Sequence, residues 1–85
     1  MSGDVKKMTL NLLKVGEKAR VININENSNL YQRFLDIGIT KNSKIECVLE
    51  SPWKNPKAYL IRGAVIAIRN EDAEFIKVIR EGDFF

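Results

Sequence analysis

The side chains able to do chemistry in this chain are few. Histidine is absent, which removes the commonest general base and the commonest transition-metal ligand together. Cys47 is the single cysteine. It has no imidazole to take its proton and stands at an inward position of an alternating run, so it reads as a small core residue. The sequence holds no CxxC, no GxxxxGK[ST] and no GxGxxG, so zinc ribbons, P-loop hydrolysis and Rossmann cofactors have no motif to rest on. Glu71, Asp72 and Glu74 could offer oxygen ligands to a hard cation. Such a run is more often a solvated acidic bias at a helical turn, and that reading is preferred. Asp36 reads as a structural acceptor, bonded to a neighbouring loop or paired with Arg33. No nucleophile, base and oxyanion donor come together, so the chain is read as non-enzymatic, without a cofactor and without a metal site.

Adhesion is the chemistry that remains. SPWKNP, Ser51 to Pro56, breaks the surrounding alternation with two prolines and carries the only tryptophan, Trp53, at the crest of a loop. Trp53 is either a lid over one end of a thin core or an anchor for a partner, since aromatics dominate interface energetics. Ala58, Leu60 and Val65 point outward if Tyr59, Ile61, Ile66 and Ile68 point inward, and a contiguous outer apolar patch marks a contact surface. The expected partner-binding set is therefore Tyr31, Trp53, Lys54, Leu60, Arg62 and Val65, docking another protein or a second copy of the chain.

These residues need elements to hold them. NLYQRFLDIGI, Asn29 to Ile39, is the one stretch periodic enough for a helix: Leu30, Phe34 and Ile37 fall on one face and Leu35 widens it. Asn29 is the expected N-cap, Gln32 the reciprocal partner of a capping box, and Gly38 the left-handed stop. A helix of about nine residues does not persist alone in water. Burying four large apolar side chains, at roughly 1.5 to 3 kcal/mol each, holds it against the rest of the chain.

The remainder reads as short strands. Leu10 and Leu13 allow one helical turn, Lys14 to Glu17 a glycine-containing turn, and Lys18 to about Asn25 a first strand with apolar residues on both faces. In Lys44 to Glu50, Ile45, Cys47 and Leu49 point one way and Lys44, Glu46 and Glu50 the other. Lys57 to Arg62 leads through a hairpin or bulge at Gly63 and Ala64 into Val65 to Arg69. Asn70 is expected to cap a short turn before a last strand, Phe75 to Arg80, with Ile76 and Val78 inward. About five strands with frequent turn signals and one inserted helix predict a mainly β fold, a small, partly open barrel of the SH3-like or OB type.

With 85 residues the chain is one small domain that buries only about 60 to 65% of its unfolded surface. No apolar run approaches the roughly 20 residues that cross a bilayer, and the N-terminus lacks a signal-peptide core. A soluble, cytoplasmic protein is expected, and a lone cysteine fits a reducing compartment. Fourteen basic against 11 acidic residues leave +3, too mild to predict nucleic-acid binding by itself.

Taken in order, Leu10, Leu13, Gly16, Ala19, Val21, then Leu35-Asp36-Ile37-Gly38-Ile39, Pro52, Pro56, Arg62-Gly63, Ile66-Ala67-Ile68-Arg69, Asp72-Ala73 and Ile76-Lys77-Val78 resemble the FeoA domain. The resemblance runs from about Thr9 to Val78. It departs at two turns: the family often has Pro-Gly where Lys41 to Ser43 stand and Gly-Asp where Lys54-Asn55 stand. It implies an SH3-like barrel with a helical insertion, acting in ferrous iron uptake by contacting the cytosolic part of a membrane GTP-dependent Fe(II) transporter, FeoB, and so recruited to the inner face of the membrane. The expected division is a tail over 1–8, the domain over 9–80 and a second tail over 81–85. Two rivals are set against it. A nucleic-acid-binding barrel would gather Arg20, Lys44, Arg62 and Arg69 with aromatics on one face, and a metal-responsive regulatory domain would resemble the one fused to iron-dependent repressors.

Overall fold

The computed structural model describes residues 7–53 and 55–81. Six strands, β1 (Lys7–Thr9), β2 (Lys18–Ile24), β3 (Lys44–Glu50), β4 (Lys57–Ile61), β5 (Ala64–Ile68) and β6 (Ile76–Arg80), alternate with a 3₁₀ turn (Leu10–Leu12) and two short helices, α1 (Tyr31–Asp36) and α2 (Asn70–Ala73). They form one antiparallel sheet in the order β1-β6-β2-β3-β4-β5. The mainly β barrel is as expected, with one strand more. β1 begins at Lys7 and pairs with β6, inside a stretch expected to be tail, because Met8 has an apolar place beside the core. The rest of the expected tails, 1–6 and 82–85, lies outside the described residues.

Two β-bulges reset the alternation. In β2 the register against β6 slips between Val21 and Asn23, so Ala19, Val21 and Ile24 are all buried on one face while Ile22 is only half-buried. The strand has one core face where two were expected, because the extra residue shifts the pleat by one. In β3 the slip falls between Cys47 and Leu49. Ile45 and Cys47 point in, and Leu49, expected inward with them, is 62% exposed.

The core collects Leu10, Leu13, Phe34, Ile39, Ile45, Tyr59, Ile61, Ile68, Ile76 and Val78. α1 closes it. The helix is six residues long, shorter than expected, because the chain enters it through a turn: the Tyr31 N–H donates to Ser28 O, Leu30 is already right-handed, and Ser28 Oγ accepts from the Leu30 N–H. Asn29 is therefore not the cap. Gln32 reaches forward to Asp36 Oδ1 instead of back, so Asp36 is held by its own helix and by neither Arg33 nor a loop.

The helix ends as expected, at Gly38 with φ +97°. The Ile39 N–H donates to Phe34 O and the Gly38 N–H to Leu35 O, the paired closure that satisfies the last carbonyls while Ile39 and Phe34 meet in the core. Leu30, Phe34 and Ile37 share a small crevice with Ile66 and Ile68 of β5. At the other end of β5, Arg62 Nε donates to Gly38 O at 3.0 Å. The helix thus packs over the inward residues of β5 and is tied to the turn before it.

The β4–β5 turn is Arg62-Gly63, one residue earlier than expected. Ala64 is already paired with Ile61, and both turn residues have positive φ, 50° and 83°. A two-residue hairpin turn of this hand matches the twist of the flanking strands.

Candidate functional site

The β3–β4–β5 hairpins show their outer side as two rows. Glu46, Leu60 and Val65 are in register across the three strands, and so are Leu49, Ala58 and Ala67. Val65 is 63% and Leu49 62% exposed; Leu60 and Ala58 are half-buried and Ala67 is exposed. Together they make an apolar surface on a small sheet, with Glu46 at one corner. Leu49 was not readable as a member, since nothing in its sequence neighbourhood marks the bulge that turns it outward. Ala67 was, by simple alternation with Ile66 and Ile68.

Trp53 lies in the loop that leaves β3 beyond Leu49 and is 87% exposed. It is not a lid. Its loop is held at the base by a backbone bond and by two side chains that follow Trp53. The Ser51 N–H donates to Pro56 O at 3.3 Å. Asn55 Oδ1 accepts the Asn70 N–H at 3.0 Å, and Asn55 Nδ2 donates to Glu71 Oε1 at 3.2 Å. The first N–H of α2 is thus capped from the loop and not by Asn70, and the loop is tied to the helix. The Glu71 carboxyl lies below its ordinary pKa because its own backbone N–H, and then the Asn55 amide, donate to it; it is engaged in the loop base.

Lys57 makes the second tie. It is only 8% exposed, and its Nζ donates to Asn11 O at 2.6 Å and Leu13 O at 2.9 Å. A lysine is buried at so small a cost only where its ammonium finds acceptors, and here those are orphan carbonyls of the 3₁₀ turn. Sequence alternation puts Lys57 on the same face as Tyr59 and Ile61, which was the available signal for its burial.

The other expected residues divide. Leu60 and Val65 share one side of the sheet, and Trp53 stands in the loop that joins β3 and β4. Arg62 sits at the far end of β4 from Trp53, its side chain directed to the end of α1. Tyr31 is half-buried on α1 and lines a separate crevice with Ile24, Leu35 and Lys41, away from the outer rows. Lys54 lies outside the described residues.

Cys47 is fully buried and faces Tyr59 across β3 and β4. Burial pushes its thiol pKa up and keeps it from acting as a nucleophile. Burial also raises the pKa of Tyr59, whose hydroxyl donates to Leu10 O. Among the described residues no three Cys, Asp or Glu side chains are placed to hold a metal ion, and no helix is long and apolar enough to cross a membrane. Arg69 precedes α2 at the end of β5 opposite Arg62, so it stands apart from the other cations of the nucleic-acid reading.

Comparison with known proteins agrees with this architecture. Residues 8–80 match the FeoA domain. A protein of Campylobacter jejuni, named as a candidate Fe(2+) transport protein A, is 33% identical over 72 residues, which cover 84% of this chain and 96% of that protein. The solution structure of an FeoA-like protein from Clostridium acetobutylicum superposes with a TM-score of 0.81 at 28% identity, covering 92% of this chain and 87% of the other. A zinc complex of Stenotrophomonas maltophilia FeoA, described as an SH3 domain protein, has the same fold with a TM-score of 0.76 at 22% identity, over 87% and 95% of the two chains. With both the family match and the Campylobacter relative extending over most of its length, and with an SH3-like barrel between its ends, the chain belongs to the FeoA domain family.

Proposed function

We propose that this chain is a non-enzymatic accessory of ferrous iron uptake that works in the cytoplasm by docking on the cytosolic part of the membrane Fe(II) transporter FeoB. The observation that carries this reading is the exposed apolar face of β3–β5 together with Trp53, a solvent-facing indole on the β3–β4 loop, which is tied down at its base. A pre-ordered aromatic beside exposed aliphatics forms the centre of a protein interface, where burial supplies affinity and little conformational freedom is lost. Family membership and the name of the Campylobacter relative supply the iron-transport context. Docking alters transport only if the face binds one state of the transporter better than another.

The test is titration of the full chain with the transporter's cytosolic domain, in its nucleotide-free, GDP-bound and GTP-analogue-bound states. Saturable binding is expected in at least one state. Trp53→Ala should weaken it by about 2 kcal/mol or more, as loss of a central aromatic does, and Leu60→Lys with Val65→Lys should abolish it. Absence of binding in all three states, or full affinity in the double variant, would reject the proposal.

A further inference from the structure

Next to the apolar rows, the outer face carries a group of cations. Arg20 on β2 stands directly opposite Lys44 on β3, a like-charge pair at a spacing where repulsion is unfavourable. Arg62 follows on the next strand: Ile45 and Ile61 are in register, so the residues flanking them, Lys44 and Arg62, come to the same end of the sheet. Among the described residues neither Lys44 nor Arg62 is in an ion pair. Arg62 is fixed in place by its left-handed backbone and its Nε bond to Gly38 O, and that bond leaves the two terminal guanidinium nitrogens to donate elsewhere.

Beside Lys44 and Arg62 a groove of ≈ 240 Å³ opens, lined also by Leu60, Lys18, Glu46 and Glu81. Three cations, Lys18, Lys44 and Arg62, line it against two acids, Glu46 and Glu81, and Lys44 and Arg62 stand side by side at one end of it. The volume falls below the roughly 300 to 1,000 Å³ of small-molecule pockets and suits one or two side chains. We infer that this groove receives an acidic residue followed by an apolar one from an extended segment of a partner protein: the carboxylate on Lys44 and the Arg62 fork, the apolar side chain on Leu60 and Val65. An anionic membrane fits less well, because Glu46 and Glu81 sit in the same groove and would face the lipid headgroups. The inference deepens the docking reading and rests on it for the partner, though not for the chemistry of the groove.

Amide chemical shifts of the full chain, followed by NMR during titration with three short peptides, Gly-Glu-Glu-Leu-Val-Gly and its Gln-Gln and Lys-Lys counterparts, all capped at both ends, provide the test. The acidic peptide should move the amides of Lys44, Leu60 and Gly63 and bind about tenfold or more tightly than the Gln-Gln peptide. Added salt and Lys44→Glu should both weaken it. Equal response to all three peptides overturns the inference, and so does a response at these amides to phosphatidylglycerol vesicles but not to the acidic peptide. With the transporter's cytosolic domain, equal affinity of wild type and Lys44→Glu removes the groove from the interface and leaves the docking reading standing. Failure of that domain to bind at all removes the docking reading, while the peptide titration still decides the groove. Lys44 is exposed, and an unchanged urea midpoint for Lys44→Glu keeps loss of folding out of the comparison.

Discussion

Lys57 carries more of the stability than its residue type suggests. Its ammonium is the partner of two carbonyls, on Asn11 and Leu13, and replacing it with a methionine of similar length leaves both without their donor. Hydrogen bonds to a charged group are worth about 1.5 to 3 kcal/mol, so Lys57→Met should lose roughly that much; urea unfolding followed by circular dichroism measures it, and an unchanged midpoint would show the carbonyls to be satisfied otherwise. Glu17 sets a pH dependence. Its carboxylate accepts the Lys14 N–H at 2.8 Å and pairs with Arg80 at 3.1 Å, and these hold its pKa below the ordinary 4.5, the backbone bond most of all. A carboxyl with a depressed folded-state pKa contributes stability that is complete above its unfolded value and is lost as pH falls through the folded one. The urea midpoint of the wild type should therefore drop more steeply below pH 4.5 than that of Glu17→Gln; parallel curves would assign the acid sensitivity to other groups. Cys47, buried with its thiol pKa raised, should react with Ellman's reagent only as the chain unfolds, so the modification rate should follow the urea transition, whereas rapid labelling without urea would contradict its burial.

At the level of elements, the turns and bulges decide which residues reach the surface. Gly38 shows the constraint most plainly: it needs φ +97°, and a Cβ there would lie 2.7 Å from Arg62 Cδ. Gly38→Ala is expected to cost about 1 to 3 kcal/mol from the left-handed backbone, with Arg62 displaced from Gly38 O, and the urea midpoint checks it; a neutral effect would mean that the α1 stop and the β4–β5 turn are not coupled. The helix stripe, the Gly38 stop, the β4 alternation and the inward set of β6 were all legible in the sequence, because each rests on periodicity or on a residue with one conformational specialty. The bulges at Ile22 and Val48 were not. An extra residue in a strand leaves no compositional mark, and one such residue moved Leu49 from the expected core to the candidate docking face. The hairpin turn was misplaced by one residue because arginine seldom takes φ 50°, and the bond that holds it there comes from a distant segment. β1 was missed because three residues with charged and polar ends show no alternation to read.

On the scale of the whole molecule, the candidate site is built from residues that contribute little to folding, positioned by residues that contribute much. Trp53 and Val65 face solvent, so Trp53→Ala and Val65→Lys should move stability by no more than about 0.5 kcal/mol, and loss of binding in them reports on the surface alone. Asn55 connects the two roles. Its side chain bonds to α2 and not to the apolar rows: it caps the helix and fastens the Trp53 loop to it. In Asn55→Ala the indole is still present but its loop has lost the tie to α2, leaving the Ser51–Pro56 bond and Lys57 to hold its base. Stability should fall by about 1 kcal/mol through the lost cap. Re-ordering the loop on binding should cost a further 0.5 to 1.5 kcal/mol or so, about two- to tenfold in affinity for the transporter's cytosolic domain. Calorimetric titration and urea unfolding of the same preparation separate the two effects. An Asn55→Ala chain that is less stable but binds at full strength would show that Trp53 does not depend on its anchored loop, and the pre-ordered indole would then have to be replaced by one that finds its place only in the complex.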